Sequence, residues 1–346
     1  MKYIGNKTRL LDFIDESLAA EAIPIKGTFI DIFGGTGYVG RFYKEKGMKV
    51  ISNDIMTYSY WAQYVLISVN SMPTFDKVAM GGGGINEVLS ILNNPKLSKE
   101  GYIFENFAPG GKAGRQYFSD ENAKRIDAIR DLIEQWKTDT LLSEDEYAIL
   151  VYSLVDAADF VANIAGTYGA YLKIWRSMAL KPIKLKVPKI FDNNTENIVY
   201  QQDANCLIKD ISGDILYLDP PYNSRQYAPN FHLLETLSVW DKQPLVGKSG
   251  QREYKDKKSR YCSKKLAYNA LKELVANAKA TYIVLSYNDE GIISREEIYQ
   301  ILSTRGQVHE HIKNYRRFRT EKDHEKRHYK ACNDRVLERL YIVKTV

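Results

Sequence analysis

The sequence contains little cysteine and no long hydrophobic run, and each absence excludes a class of protein. Its 346 residues include three cysteines, Cys206, Cys262 and Cys332, an odd number at wide spacing. This excludes a disulfide framework and a CxxC-type zinc site. A charge-free run of about 18 apolar residues is also missing, which excludes a membrane span, and the first residues lack the apolar core of a signal peptide. We therefore expect a cytoplasmic protein without membrane contact.

What the chain does contain is typical of a folded protein with a substantial core. Hydrophobic residues make up 44% and charged residues 27% of the composition, close to the averages of globular domains. The 25 tyrosines, 12 phenylalanines and 4 tryptophans provide large side chains to bury, which excludes disorder as the dominant state. The length predicts one large or two moderate domains.

Positive charge is concentrated in two C-terminal segments. Residues 242–265 contain nine Lys/Arg and two acids, and residues 313–330 contain eight and three, so the segments carry +7 and +5. The net charge of the chain is +6, which leaves −6 for the remainder. Segregated positive charge is typical of a protein that binds a polyanion, although solvated surface loops would give the same pattern.

The order of predicted elements indicates an α/β fold with an insertion. Residues 28–34 and 48–54 are β-branched or apolar runs that flank a helical pattern at 38–47, which predicts a βαβ unit and a parallel sheet. Residues 61–189 are mainly helical, with long helices predicted at 121–136 and 143–165. Strand patterns then return at 197–205, 214–222, 281–289 and 339–346. We therefore predict an α/β domain interrupted by a helical segment of roughly 130 residues.

A glycine-rich loop follows the first predicted strand. Gly35, Gly37 and Gly40 have the spacing GxGxxG, which lets backbone approach a ligand at the carboxyl edge of a sheet. Asp54 ends the second strand, where a carboxylate can accept both hydroxyls of a ribose from a nicotinamide cofactor or from S-adenosylmethionine. The alternative is a helix-capping aspartate. The pattern predicts a nucleotide-type ligand and leaves its identity open.

The tetrapeptide Asp219-Pro220-Pro221-Tyr222 indicates the chemistry. It follows four apolar residues, 215–218, which places it at the carboxyl end of a buried strand. Two prolines hold the backbone extended and remove two amide donors, so Asp219 and the Pro220 carbonyl both present acceptors. Such acceptors, with an adjacent aromatic ring for stacking, suit the amino group of a planar base. Transfer of a sulfonium methyl to that amine would need no covalent enzyme intermediate.

These segments resemble the Dam-like family of adenine-specific DNA methyltransferases, the S-adenosylmethionine-dependent DPPY type. The matching segments, in chain order, are YIGNK at 3–7, FIDIFGGTGYVG at 29–40, Asn53-Asp54 and LDPPY at 218–222. The resemblance implies Asp219, Pro220 and Tyr222 as catalytic residues. It also implies a cofactor site, in which Asp31, Phe33, Gly35 and Gly37 surround the methionine part, Asp54 binds the ribose, Asp203 lies near the adenine, and Tyr3, Lys7 and Asp219 contribute further contacts.

The resemblance also implies the domain roles and the partners. It predicts a Rossmann-like methyltransferase domain formed by residues 1–60 and 190–346, with a mainly helical target-recognition insertion at 61–189. The expected reaction is methyl transfer from S-adenosylmethionine, leaving S-adenosylhomocysteine, to the exocyclic amine of a flipped adenine in double-stranded DNA. A restriction–modification system is the expected setting, and a cognate restriction endonuclease is a candidate partner whose existence the sequence leaves open.

Several alternative activities can be compared with the sequence. Methylation of cytosine carbon needs a cysteine after a proline, and the chain contains no Pro-Cys dipeptide. An RNA-adenine methyltransferase would use the same motifs. A nicotinamide-dependent oxidoreductase would explain the glycine loop but neither the DPPY motif nor the basic segments.

Candidate DNA contacts come from the basic segments, from the glycine-containing stretch 165–177 and from Arg225, three residues past Tyr222. We predict phosphate or groove contacts for Arg225, Lys257, Lys258, Arg260, Arg316, Arg317, Arg319, Tyr168 and Lys173. A solvated surface or a packed helix start is the alternative. His324, His328 and Cys332 recur at intervals of four, but the segment offers no fourth ligand, and we expect no metal.

Overall fold

The computed structural model describes Gly5, residues 7–316 and residues 335–346, and at 315, 316, 335 and 336 it describes the backbone alone. Its strands are β1 (Thr28–Asp31), β2 (Lys49–Asn53), β3 (Ile198–Tyr200), β4 (Gly213–Leu218), β5 (Ala280–Asn288), β6 (Val308–Arg316) and β7 (Arg335–Lys344). Its α-helices are α1 (Leu11–Ala20), α2 (Tyr38–Glu45), α3 (Thr57–Gln63), α4 (Gly84–Leu92), α5 (Tyr102–Phe107), α6 (Asp120–Thr138), α7 (Glu144–Val161), α8 (Ala204–Leu207), α9 (Tyr227–Asn230), α10 (His232–Val239), α11 (Ala267–Asn277) and α12 (Arg295–Leu302).

The strands form one mixed sheet with the order β3-β2-β1-β4-β5-β7-β6. The first five are parallel, and β7 runs antiparallel to both β5 and β6. The last three residues of β1 and the last four of β4, 215–218, are buried, as expected for parallel strands covered on both faces. Strand order reverses between β1 and β4, which creates a crevice at their carboxyl ends. The predicted Rossmann-like α/β sheet is confirmed.

The described residues divide into two compact units. The sheet unit draws on residues 7–55, Asn193–Gln226, 257–316 and 335–346, and the helical unit draws on Gly5, Met56–Asp192 and Tyr227–Asp256. The sequence prediction assigned 227–256 to the sheet domain and began the insertion at residue 61. The difference has a local cause, because the Glu235 carboxylate of α10 accepts the backbone amides of Thr57 and Tyr58 at the start of α3.

Local capping explains where several elements begin. Ser119 caps α6, and Ser143 with Glu146 forms a capping box at α7. The strand predicted at 197–205 is shorter in the structure, since β3 ends at Tyr200. Asp203 then accepts the amides of Asn205 and Cys206 and starts α8.

A buried arginine organises the core of the helical unit. The guanidinium of Arg130 on α6 donates to the Leu237 carbonyl at 2.9 Å, to Glu134 at 2.6 Å and to the Tyr147 hydroxyl at 2.8 Å. The Arg130 side chain is fully buried, and its guanidinium lies 5.4 Å from the Trp240 ring centroid. These contacts join α6, α7 and the end of α10.

Substitution of Arg130 by alanine should destabilise the protein strongly. It leaves the Leu237 carbonyl unpaired in the core and creates a cavity, which together cost about 3 kcal/mol or more. Urea denaturation followed by circular dichroism measures the change. The matched control is Gln135→Ala, at an exposed position of the same helix. Equal stability of the two variants would contradict a structural role for Arg130.

Candidate active site at the carboxyl ends of the parallel strands

The glycine loop joins β1 to α2 at the reversal of strand order. Gly35 and Gly37 have φ values of 52° and 78°, the left-handed region that favours glycine. The Gly34 amide donates to the Asn53 carbonyl at 2.8 Å, and the Gly37 amide donates to the Gly34 carbonyl at 2.8 Å. The loop is therefore fixed against the end of β2 before the helix begins.

Asp31 ends β1 beneath this loop. Its Oδ2 accepts the Gly40 amide at 3.1 Å, and the residue is 1% exposed. Among the described residues its Oδ1 has no hydrogen-bond partner. Burial, supported by the charge of Asp219, raises the pKa of Asp31 from an ordinary 3.8 to about 8. A buried carboxyl group with one unpaired oxygen is suited to a hydrogen-bonding ligand, and a cationic ligand there would favour its ionised form.

Asn53 connects the ends of three neighbouring strands. Its side-chain amide donates to the carbonyls of Ile32 and Gln202, both at 3.1 Å, and its Oδ1 accepts the Gln202 amide at 2.9 Å. Ile32 follows β1 and Gln202 follows β3, while Asn53 itself ends β2. The side chain therefore holds the carboxyl edge of this half of the sheet in register.

Two further predicted carboxylates lie at this edge. Asp54 follows β2, and its Oδ2 accepts the Gly35 amide at 3.0 Å. Asp203 follows β3, and its Oδ1 caps α8 and lies 3.7 Å from a guanidinium nitrogen of Arg260. Phe33 packs edge-on against Tyr261 with ring centroids 5.0 Å apart. The structure thus places the predicted residues Asp31, Phe33, Gly35, Gly37, Asp54 and Asp203 on consecutive loops of one sheet edge.

The Asp-Pro-Pro-Tyr motif follows β4, beside the glycine loop. The ammonium of Lys7 lies 3.4 Å from Asp219 and 3.4 Å from Glu338, and 5.9 Å from the centroid of the Tyr222 ring. The Tyr222 ring meets Tyr287 edge-on at 6.2 Å, and the Tyr222 carbonyl accepts the Ile292 amide at 2.9 Å. Lys7 therefore connects the N-terminal segment with the motif and with β7.

Burial and opposing charges set the protonation of this group. Burial raises the pKa of Asp219 from 3.8 to about 6, with Lys7 lowering it and Glu338 raising it. Burial by itself would lower the pKa of Lys7, but the carboxylates of Asp219 and Glu338 outweigh it and raise the pKa above its ordinary value. Lys7 is therefore a permanent cation, and Asp219 is ionised at neutral pH.

The residues predicted to contact nucleic acid fall into several groups. Lys173, Arg225 and Lys258 are exposed. Lys257 donates to the Ile55 carbonyl at 2.7 Å, and Arg260 donates to Glu273 at 3.0 Å, so the protein itself uses part of their hydrogen-bonding capacity. Arg317 and Arg319 lie outside the described residues, as do Tyr3 and the three residues of the histidine–cysteine pattern, and the side chain of Arg316 is likewise outside them.

The predicted nucleic-acid contact by Tyr168 does not fit the structure. The side chain is fully buried, and its hydroxyl donates to Asp159 at 2.9 Å. The Tyr168 carbonyl accepts the Tyr117 hydroxyl at 2.6 Å and lies 2.9 Å from Nε2 of His232. Its glycine neighbours suggested a pliable surface loop, whereas the ring packs in the core of the helical unit.

Neither a metal cluster nor a membrane-spanning helix occurs within the described part of the chain. No group of three or more His, Cys, Asp or Glu residues there is arranged to hold a metal ion. No helix there has the length and apolarity needed to cross a bilayer.

Comparisons with known proteins identify the family. The model of the D12 class of N6 adenine-specific DNA methyltransferases matches residues 3–301. The Type II methyltransferase M.NlaIII of Neisseria lactamica is 40% identical over an alignment of 348 residues, which covers 99% of each protein.

Two other relatives are considerably longer than this chain. The Type II methyltransferase M.FokI of Planomicrobium okeanokoites is 42% identical over 308 residues, 88% of this chain and 47% of that protein. The modification methylase StsI of Streptococcus sanguinis is 40% identical over 304 residues, 87% of this chain and 46% of that protein. The chain thus spans about half the length of these two relatives.

The raised pKa of Asp31 predicts a pH dependence of stability. Between about pH 4 and pH 8 the folded protein retains a proton on Asp31 that the unfolded chain has released. The free energy of unfolding should therefore fall as pH rises through this range, and it should fall less in Asp31→Asn, which keeps the acceptor for Gly40. Urea denaturation at pH 5, 6, 7 and 8 measures both slopes. Parallel slopes for the two proteins would contradict the raised pKa.

Proposed function

Because the chain belongs to the D12 class of N6 adenine-specific DNA methyltransferases, we propose that it methylates the exocyclic amine of adenine in double-stranded DNA. The methyl donor in this proposal is S-adenosylmethionine, which leaves as S-adenosylhomocysteine. The observation that carries the proposal is the position of Asp219 and Tyr222. They follow β4 where the strand order reverses, beside the glycine loop and against the ammonium of Lys7.

The residues at the sheet edge fit S-adenosylmethionine. The unpaired, buried Oδ1 of Asp31 can accept a hydrogen bond from the cofactor's cationic amino group, and Gly35 and Gly37 leave room for the methionine chain. Asp54 would bind the ribose hydroxyls, and Asp203 and Phe33 would lie at the adenine, with Tyr3, Lys7 and Asp219 completing the set. The bound cofactor supplies an electrophilic methyl group on a sulfonium.

The protein's contribution to the reaction is to activate and hold the target amine. The Asp219 carboxylate and the Pro220 carbonyl would accept hydrogen bonds from the two N–H groups of the amine, which localises the lone pair on nitrogen. The Tyr222 ring would stack on the base after it leaves the duplex, an interaction worth about 1–3 kcal/mol. The mechanism requires ionised Asp219, consistent with a pKa of about 6 and the nearby ammonium of Lys7.

The helical unit is the proposed target-recognition domain. The sequence prediction assigned this role to 61–189, and the compact unit adds Tyr227–Asp256. Within it, Asn163 anchors the stretch that follows α7, because its side chain donates to the Leu172 carbonyl at 2.9 Å and accepts the Arg176 amide at 3.0 Å. Lys173 and Ile174 are exposed between these anchors, so we propose Lys173 as a DNA contact.

The relatives' names support a restriction–modification setting. Type II methyltransferases and a modification methylase are among them, and we propose a cognate endonuclease as partner and the cytoplasm as the site of action. The family description names DNA, which favours DNA over RNA as the substrate, and it leaves no support for a nicotinamide-dependent oxidoreductase.

The activity is tested by transfer of labelled methyl to unmethylated DNA, with total RNA in parallel and nucleosides identified by mass. We expect N6-methyladenine in DNA. Asp219→Ala should abolish transfer because it removes an acceptor for the amine, whereas Asp210→Ala, at an exposed carboxylate of the same unit, should leave it unchanged. Label confined to RNA, or full activity of Asp219→Ala, would contradict the proposal.

DNA binding should depend steeply on salt. Each phosphate neutralised contributes about −0.9 to the slope of log K against log salt, so Lys173→Ala should reduce the magnitude of that slope by about one. Fluorescence anisotropy with a labelled duplex at several salt concentrations measures it. Lys96→Ala, at an exposed lysine elsewhere in the helical unit, is the control. An unchanged slope for Lys173→Ala would remove this lysine from the interface.

A further inference from the structure

Glu338 places a second carboxylate beside the Asp-Pro-Pro-Tyr motif. None of the sequence motifs includes this residue. It lies on β7, 8% exposed, and its Oε2 accepts a hydrogen bond from the Lys7 ammonium at 3.4 Å. The same ammonium lies 3.4 Å from Asp219. Lys7 and Glu338 are 331 positions apart in the sequence, so only the fold brings them together.

Stability does not account for a carboxylate at this position. Removing a charge from water costs several kcal/mol per ion, and hydrophobic replacements of buried ion pairs are often neutral or stabilising. Residues 340–343 of the same strand are buried and apolar, so an apolar residue would suit the strand. The position of Glu338 against Lys7 is therefore more readily explained by an electrostatic role.

The net charge of Lys7, Asp219 and Glu338 indicates what each flanking group does for Asp219. Ionised Asp219 and Glu338 with protonated Lys7 carry a net charge of −1. Without Glu338 the sum would be zero, and the ammonium would neutralise the carboxylate that must face the amine. Without Lys7 the sum would be −2 in a buried site, which would drive Asp219 toward its neutral form. Lys7 therefore keeps Asp219 ionised, and Glu338 offsets the charge of Lys7 so that the ionised carboxylate remains effective as an anion.

We propose that Glu338 is a positioning residue for the methyl transfer: it offsets the charge of Lys7 so that the Asp219 carboxylate remains free to stabilise the target amine. This inference rests on the proposed function. As the nitrogen lone pair bonds to the methyl carbon, the carbon–sulfur bond breaks and its electrons remain on sulfur. The nitrogen becomes positive until it releases a proton to water, and an unneutralised carboxylate stabilises that charge.

Other ionisable groups also face this cluster. Asp31 at the end of β1, Tyr217 on β4 and Tyr222 after β4 interact electrostatically with Asp219. The pKa values of Asp31, Tyr217 and Tyr222 are all raised, with burial as the first cause. The tyrosines are therefore neutral at assay pH. In the described part of the chain, Lys7 and Glu338 are the charged groups that act on the pKa of Asp219, and Lys313 on β6 lies opposite Glu338 in the strand register.

The first test measures the titration of Asp219 itself, in the protein without cofactor or DNA. Carbon-13 NMR of labelled aspartate carboxyl groups, assigned with Asp219→Asn, gives its pKa in each variant. We expect a lower value in Glu338→Gln, a higher value in Lys7→Met and an intermediate value in the double variant. An unchanged pKa in Glu338→Gln would overturn the proposal. This result is independent of whether the protein methylates DNA.

The second test measures methyl transfer by the same variants. Glu338→Gln should lower kcat about tenfold or more, less than the 10²–10³ typical of a directly contacting group, with little change in KM. The acid limb of the plot of kcat against pH should move to lower pH in this variant. The double variant restores the net charge of −1 and should exceed Lys7→Met in kcat, and Glu338→Asp should recover part of the loss. A double variant no better than Lys7→Met would contradict the charge argument.

A matched variant separates this role from loss of a structural ion pair. Glu310 on β6 pairs with Arg295 and Arg339, both at 2.6 Å, and its side chain is 9% exposed. Glu310→Gln should lower the free energy of unfolding without changing the pKa of Asp219 or the acid limb of the plot of kcat against pH. If it shifted both as Glu338→Gln does, the effect would be structural and the proposal would fail.

Discussion

The central constraint on this molecule is that a carboxylate must remain ionised while it is buried at the end of a parallel strand. Burial raises the pKa of Asp219 to about 6, close enough to neutrality that a small further rise would remove its charge. The ammonium of Lys7 at 3.4 Å opposes that rise. The proposed amine activation depends on this balance, because only the ionised carboxylate accepts hydrogen bonds without donating one.

The sheet provides the framework in which that balance is possible. Reversal of strand order between β1 and β4 places the glycine loop beside the Asp-Pro-Pro-Tyr motif. The side chain of Asn53 ties the ends of β1, β2 and β3 through three hydrogen bonds. The antiparallel strand β7 then brings Glu338 to Lys7. Backbone amides thus hold the carboxylates of Asp31, Asp54 and Asp203, and the Lys7 ammonium holds that of Asp219.

The sequence predicts those elements and motifs that are formed by residues close together in the chain. Strands β1, β2 and β4 and the helices α6 and α7 follow from apolar patterns and caps, and the glycine loop and Asp219-Pro220-Pro221-Tyr222 are local motifs. Sequence reasoning missed Glu338, since the partner of that residue lies 331 positions away. The one available signal was a single acid just before the apolar run 340–343. Tyr168 was misplaced because its glycine neighbours resemble a surface loop, while its burial depends on packing against Tyr117 and His232.

The basic segment near residue 260 shows why charge alone is an incomplete guide to a binding surface. Lys257 donates to the carbonyl of Ile55, directly after Asp54, and Arg260 lies 3.7 Å from Asp203. Tyr261 packs against Phe33 and donates to Asn205 at 2.8 Å. Three successive contacts therefore fix residues 257–261 to the loops that carry the proposed ribose and adenine contacts. Part of the positive charge that suggested a polyanion is therefore used in contacts within the protein, next to the proposed cofactor site. Phosphate contact from this segment stays a prediction, and the exposed side chain of Lys258 is the most direct candidate for it.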